Sequence, residues 1–346
     1  MILTVEKIIQ ETEDAVSVVF KKPGLFKKVK YKPGQFLTLK IPINNKIENR
    51  SYSLSSSPWL HKSLRITVKK VKGGLISNYI CNELKEGQKI EVDKPIGNFF
   101  IEPNKKESKK YVMFAGGSGI TPVYSIIISL LEKEPNSKIL LIYANRNLSS
   151  IIFKKEVESL ITDYPGRINT EHLLDELDSD PGKNYHNERL NPKLLDNILE
   201  KNNMAYNNAK FMLCGPQGFM DGAVEILEKK SVLSHNIMLE AFTADLSKME
   251  NEAIEESAVT IKGVGFETPI KVEKGKTILQ AALDQKMEIP YSCRSGMCSS
   301  CKAKCTSGKV KMLDGHILPE AEVNDGFVLT CVAFPASENV ELVLPQ

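Results

Sequence analysis

The chain has 346 residues, 42% of them hydrophobic and 26% charged, with a formal net charge of +3. These totals suit a globular protein of two or three domains, and its cations are scattered lysines with no basic block of the kind that binds nucleic acid or an anionic membrane. The longest apolar stretches, "VYSIIISLL" and "KILLIYA", fall far short of the roughly 20 residues that a membrane-spanning helix needs.

The opening "MILTVEKIIQETEDAVSVVF" alternates apolar and charged residues and carries no basic region, apolar signal core or small-residue cleavage site, so it is expected to begin a strand rather than a leader. Strands continue through "AVSVVFKK", "GQFLTLKIPI", "RSYSLSSSP", "SLRITVKKV" and "QKIEVDKPIGNFFI", punctuated by Pro23-Gly24, Pro33-Gly34 and Gly73-Gly74. Short strands at this spacing predict an antiparallel β-barrel over residues 1–104. The charged "EPNKKESKK" reads as a connection.

From residue 105 to 243 the pattern changes to strand then helix. "YVMFA" runs into "GGSGITP" and "VYSIIISLLEKE"; "KILLIYA" precedes "IIFKKEVESLI"; "KFMLC" precedes "GFMDGAVEILEKK"; "NIMLEAF" closes the series. Alternation of this kind predicts an α/β doubly wound domain with a parallel sheet. Residues 244–257, with the acidic "LSKMENEAIEES", read as a solvated linker. The remaining residues, 258–346, hold a predicted hairpin, a helix "TILQAALDQK", a cysteine-rich loop and the strands "GFVLTCVAF" and "NVELVLPQ", which together predict a small α+β domain.

Four of the seven cysteines carry the most specific signal. Cys293, Cys298 and Cys301 follow C-x4-C-x2-C, and Cys331 comes much later, in what reads as an apolar strand. Plant-type [2Fe-2S] centres use this spacing, four thiolates sharing two irons. Ser292, Ser295, Gly296, Ser299 and Ser300 keep the loop slim, so that backbone N–H groups can approach the sulfides. A structural zinc site is the alternative, but it usually pairs two C-x2-C knuckles and this chain has one. Cys81 and Cys305 read as bystanders. Clustered thiols imply a reducing compartment, so the cytoplasm is the expected location.

Two further turns suit a nucleotide. "AGGSGITP", with Gly116, Gly117 and Gly119, joins a strand to a helix, where backbone amides can meet a phosphate, although it departs from G-x-G-x-x-G. "CGPQGFM" makes a second such turn, able to face the same ligand across the sheet edge. In the barrel, "RSYSLSS" sets an Arg, an aromatic and a hydroxyl on one strand, and "GGLISNYI" sets two glycines before a helix start. With six arginines against forty lysines, Arg50 stands out as a planar, bidentate phosphate ligand, while a surface cation is the plainer reading. The five histidines (61, 172, 186, 235 and 316) are scattered, and no mononuclear metal site is expected from them.

In this order the motifs resemble the ferredoxin-NADP reductase superfamily with a plant-type ferredoxin fused at its C-terminus, and within it the reductases of phenylacetyl-CoA epoxygenase type and related oxygenase reductases. The resemblance spans essentially the whole chain and implies a β-grasp fold for the last domain. It implies FAD on Arg50, Tyr52 and Ser53, with Arg50 at the pyrophosphate, Tyr52 against the ring system and Ser53 near its N5. It implies Gly73, Gly74 and Ser77 at the FAD phosphates, and Gly116, Gly117, Gly119 and Thr121 at the nicotinamide nucleotide. Cys214 is implied beside the nicotinamide ring, which makes Ser53 and Cys214 the catalytic candidates, and Phe242 is implied near the flavin. The implied activity is electron transfer from NAD(P)H through FAD and a [2Fe-2S] cluster on Cys293, Cys298, Cys301 and Cys331 to a partner oxygenase. A desaturase or hybrid-cluster protein as acceptor, or a non-turnover redox sensor, are the alternatives.

NAD sites often place an acid after the second strand for the ribose 2′-OH. After "KILLIYA" come Asn145, Arg146, Asn147, Ser149 and Ser150, with no acid before Glu156, so NADPH is expected over NADH, with Arg146 as a candidate for its 2′-phosphate. Arg294, inside the cysteine loop, is a candidate to tune the cluster or meet an acidic partner, with a solvated side chain as the plain alternative.

Overall fold

The computed structural model describes residues 1–21, 29–43, 46–177, 182–242, 256–313 and 316–345. These form two compact units, Met1–Ala241 and Phe242–Gln346. Among the described residues, no helix is long and apolar enough to cross a membrane.

The first unit opens with strands β1 (Ile2–Thr12), β2 (Ala15–Phe20), β3 (Phe36–Ile43), β4 (Lys46–Ser53) and β5 (Leu64–Lys69), helix α1 (Leu75–Asn82) and β6 (Lys89–Val92). The strands make one antiparallel sheet in the order β4-β3-β6-β1-β2-β5, and a bridge between Leu54 and Ile66 draws its two ends together. Period-two alternation explains the closure. In β5, Leu64, Ile66 and Val68 join Val16, Val18 and Phe20 of β2 in the barrel core. The intervening Arg65, Thr67 and Lys69 therefore point out of the barrel.

The same unit continues with β7 (Lys110–Gly116), α2 (Ile120–Lys133), β8 (Lys138–Asn145), α3 (Lys154–Asp163), β9 (Ile168–Leu174), β10 (Tyr185–His186), α4 (Pro192–Lys201), β11 (Ala209–Cys214), α5 (Gln217–Lys229) and β12 (Ile237–Glu240). All strands run parallel in the order β10-β9-β8-β7-β11-β12. Chain order reverses between β7 and β11, and a crevice opens at such a switch point. On one face Val112, Phe114, Leu140 and Ile142 pack against Leu195 and Ile198 of α4 and Ala223 and Leu227 of α5. On the other, the Tyr111 hydroxyl donates to Glu134 at the end of α2, and Tyr143 reaches the carbonyls of Gly117 and Ile152.

The second unit comprises β13 (Glu256–Gly263), β14 (Phe266–Glu273), α6 (Ile278–Asp284), β15 (Lys302–Ser307), β16 (Val310–Met312), α7 (Glu320–Asn324), β17 (Phe327–Leu329), β18 (Ala333–Pro335) and β19 (Asn339–Val343). Its five-stranded sheet, β14-β13-β19-β15-β17, is antiparallel except at β13/β19, and it packs Val259, Ile261, Ile270 and Leu342 against Ile278, Leu279 and Ala282 of α6, as a β-grasp does.

Two expectations are corrected here. The linker expected to run to residue 257 gives way to strand at Glu256, because Ser257 is buried and its hydroxyl reaches the carbonyls of Ser337 and Glu338; residues 243–255 lie outside the described residues. Cys331 sits in a turn, not a strand. The run "GFVLTCVAF" breaks between β17 and β18, where the Thr330 amide and hydroxyl both donate to the Cys301 carbonyl and so bind the turn to the cysteine loop.

Candidate functional site

The flavin residues sit together on the barrel. Arg50, Tyr52 and Ser53 lie on β4, opposite Leu39, Leu37 and Phe36 of β3. Arg50 and Tyr52, two apart, share a face of the sheet. Burial pushes the Tyr52 phenol above its ordinary range, with Arg50 pulling it partly back, so the ring is neutral and apolar on one side. Gly73 has a φ of +73° and open space at its Cβ position, whereas a Cβ at Gly74 would stand 2.6 Å from the Ser77 hydroxyl. That hydroxyl accepts from the Val71 amide and donates to the Gly74 carbonyl, and the Asn78 amide donates to the Val71 carbonyl. Ser77 thus builds the turn. Gly74 offers no side-chain cap, which leaves the start of α1 suited to a phosphate.

The glycines of the two strand-to-helix turns have a packing reason. A Cβ on Gly119 would fall 2.0 Å from the Cys214 carbonyl oxygen, and one on Gly116 would fall 2.5 Å from Pro216 Cδ. The turns "GGSG" and "CGP" are therefore in backbone contact, side by side on the adjacent strands β7 and β11. Beside them lies a cavity of about 500 Å³, lined by Gly116, Gly117, Asn145, Arg146, Asp175, Glu188, Arg189, Pro216 and Phe219, among others. Gly116, Gly117 and Arg146 line this cavity, whereas Gly119, Thr121 and Cys214 are buried behind it and do not. The Thr121 hydroxyl donates to the Ser118 carbonyl and holds the loop. Burial, helped by the charge of Glu240, pushes the Cys214 thiol up, so it stays protonated. Phe242 is half-buried and begins the second unit.

Two features of this cleft are not legible in the sequence. Lys69 reaches it from outward-facing β5, with an ion pair to Asp14 at 3.4 Å. Asp175 and Glu188 line it too, and Arg189 Nε pairs with Asp175 at 3.1 Å. The expectation of NADPH rests on the lack of an acid after the second strand, and the stretch after β8 holds none before Glu156, while Asp175 enters the cavity from the end of β9. Parallel strands lay their carboxyl ends side by side, so the acid arrives from beyond β9.

In the second unit Cys293, Cys298, Cys301 and Cys331 are all buried. Among the described residues, no three His, Cys, Asp or Glu side chains converge tightly enough to hold a single metal ion. The four thiols neighbour one another in a single run, Cys298 beside Cys293, Cys293 beside Cys331 and Cys331 beside Cys301. Hydrogen bonding from Cys298 and Cys331 holds the Cys293 thiol far below its ordinary range, and Cys298, as donor, is pushed up. The Ser295 amide donates to Cys293 Sγ and the Cys293 amide to Cys298 Sγ. Gly296 has a φ of +76°, and its Cβ position lies 3.4 Å from His316 and Val332. Neighbouring thiols, inward amides and a glycine fit a two-iron, two-sulfide cluster. Arg294, at φ +59°, stacks its guanidinium over Tyr291 at 4.5 Å.

A flavin-type barrel, a nicotinamide-type crevice and a ferredoxin-type cysteine loop define a three-domain redox protein. Comparison with known proteins agrees domain by domain. Residues 2–101 match the oxidoreductase FAD-binding domain, 113–225 the oxidoreductase NAD-binding domain and 259–336 the 2Fe-2S iron-sulfur cluster binding domain. The chain is 33% identical to a component of the 1,2-phenylacetyl-CoA epoxidase of Escherichia coli K12, over 98% of this chain and 96% of the relative. It is 31% identical to the ferredoxin reductase component of 3-ketosteroid-9-alpha-monooxygenase from Rhodococcus rhodochrous, over 99% and 96%. The solved structure of phthalate dioxygenase reductase superposes with a TM-score of 0.67 at 22% identity, covering 99% of this chain and 98% of that one, and so shares the fold. The chain belongs to the ferredoxin-NADP reductase superfamily, in the branch with a C-terminal plant-type [2Fe-2S] domain, and is an oxidoreductase using FAD, a nicotinamide nucleotide and the cluster.

Proposed function

We propose that this chain is the reductase component of an oxygenase system in the cytoplasm, drawing electrons from a nicotinamide nucleotide and passing them singly to a partner oxygenase. The observation that carries the reading is the union, in one chain, of a two-electron entry cleft and four buried, neighbouring cysteines for a one-electron cluster. Full-length similarity to a component of an epoxidase and to the ferredoxin reductase component of a monooxygenase supports it. FAD supplies the conversion between a two-electron donor and a one-electron exit. The protein's own share is positional. Arg50 and the start of α1 would hold the flavin phosphates, Tyr52 would cover its ring, Ser53 would offer it a hydroxyl, and buried Cys214 would support the floor of the nicotinamide cleft.

The nucleotide is proposed to be NADH. Asp175 lines the cavity and supplies an acceptor for a ribose 2′-hydroxyl, while the lining as a whole carries three cations, Lys69, Arg146 and Arg189, against two acids, Asp175 and Glu188. Cys298→Ser tests the division of labour. It is expected to abolish reduction of a one-electron protein acceptor such as cytochrome c while NAD(P)H-dependent dye reduction by the flavin persists. Loss of both activities in a folded variant contradicts separable centres.

A further inference from the structure

The flavin barrel and the nicotinamide sheet meet along α2, at a junction that is polar yet buried. Ser55, Ser56 and Ser57 of the barrel and Ser125 and Ser129 of α2 are all 0% exposed. Polar groups are placed so only where their hydrogen bonds are made. Ser125 Oγ donates to the Ser56 carbonyl at 2.6 Å, and Ser129 Oγ meets Ser57 Oγ at 2.9 Å. The stretch "RSYSLSSSP" thus does two jobs, with Arg50 to Ser53 at the flavin and Ser55 to Ser57 against the helix that begins at the glycine-rich loop.

Arg65 closes this junction. It projects from the outer face of β5, donating from Nε to Ser55 Oγ at 3.0 Å and from its Nη2 to the Ser55 carbonyl at 3.1 Å. Its guanidinium lies 4.6 Å from the Phe153 ring centre and 5.4 Å from that of Tyr124, two aromatic rings of the nicotinamide half that pack on each other at 4.7 Å. Phe153 is fully buried and holds a φ of +60° at the start of α3. A bulky residue in that region persists only where surrounding packing dictates it.

Two elements that must agree for the chemistry meet on this one side chain, and its own strand carries a third. Through Ser55 it holds the end of the flavin strand; four residues along β5 is Lys69, in the nucleotide cleft; through Tyr124 it holds α2, three residues from Thr121. A hydrophobic side chain of similar length would fill the space but not fix the angle, since a planar fork with two bonded donors and two ring faces is directional.

We propose that Arg65 is a positioning residue that sets the register of the nicotinamide loop on the flavin strand, and so the rate of flavin reduction, without touching either cofactor. The proposal rests on the first unit being the flavin and nicotinamide half, and is independent of which protein accepts the electrons.

The test uses full-length FAD-loaded protein carrying Arg65→Met, Arg65→Lys or Ser125→Ala, with anaerobic single-turnover flavin reduction followed against NADH and NADPH concentration. Misplacement of a reacting pair by about 1 Å costs on the order of 100-fold. Arg65→Met is expected to lower the limiting rate by about 10- to 100-fold with half-saturation moved less than about threefold, Arg65→Lys to recover part of that loss, and Ser125→Ala to lower the rate by about 3- to 10-fold. Hydrogen exchange supplies a readout apart from turnover: amides of residues 54–57 and 121–130 are expected to lose protection in Arg65→Met and elsewhere to keep it. A limiting rate within about twofold of the parent, unchanged exchange at the junction, or a loss confined to half-saturation overturns the proposal. Should Arg65→Met fail to fold, a parent-like limiting rate with unchanged exchange in Arg65→Lys, which removes the planar fork, overturns it equally. Failure of the parent protein to be reduced by either nucleotide refutes the underlying reading instead.

Discussion

Replacing Gly119 by alanine tests why the nucleotide loop is built of glycine. The added methyl carbon would stand 2.0 Å from the Cys214 carbonyl oxygen, 2.4 Å from its carbon and 2.8 Å from the Gly215 nitrogen. All three are backbone atoms at the end of a central parallel strand, so no side chain can swing aside. To reach an ordinary contact the two turns must part by roughly 1.4 Å, the gap between 2.0 Å and 3.4 Å. Overpacking of this kind costs typically 1–3 kcal/mol. The shift lands on the loop that presents the nucleotide, where about 1 Å is worth on the order of 100-fold in rate. Gly119→Ala is therefore expected to slow single-turnover flavin reduction by about 100-fold while FAD stays bound, because the flavin residues lie on β4 and α1. Gly117→Ala is the control. Its φ of +49° strains alanine, but the nearest atom to the new methyl is Lys69 Nζ at 3.9 Å, so a loss of only a few-fold is expected. A Gly119→Ala protein as fast as the parent would refute the backbone-contact argument.

Asp175→Ser removes the acid paired with Arg189, and it is expected to raise kcat/KM for NADPH at least about tenfold relative to NADH; unchanged preference in steady-state assays with both nucleotides removes Asp175 from the specificity argument. His172 supplies a pH prediction. It is buried and stacks on Tyr185 with ring centres 4.6 Å apart, and burial, with the charge of Lys154 second, lowers its imidazole from 6.5 to about 4. Because the unfolded chain takes up the proton first, stability from this group is complete above pH 6.5 and is lost as pH falls through about 4, by up to about 3 kcal/mol. His172→Phe, which keeps the stack, is expected to flatten the melting temperature between pH 6.5 and 4 relative to the parent; parallel curves in the two proteins count against it.

Local features of this chain are legible without any knowledge of the fold. C-x4-C-x2-C lies in one loop, so spacing alone carries its chemistry, and the period-two pattern of "LRITVK" already divides Leu64, Ile66 and Val68 from Arg65, Thr67 and Lys69. The strand-helix alternation after residue 110 likewise implies a parallel sheet with glycine turns at one edge. What those outward residues face is a tertiary matter. Barrel closure turns Arg65 and Lys69 toward the nicotinamide half, and nothing in their neighbours announces it. Asp175 escapes notice because a parallel sheet brings the ends of β8 and β9 together although some thirty residues of chain lie between them. Cys331 reads as strand because its neighbours are apolar, while the bonds from Thr330 to the Cys301 carbonyl bend the chain there. Sequence by itself determined which chemical groups the protein owns and the order of its domains, since these follow from composition and short-range periodicity. Only the tertiary structure decided which of them meet, because hydrogen bonds and close contacts act between neighbours in space, however far apart they stand along the chain.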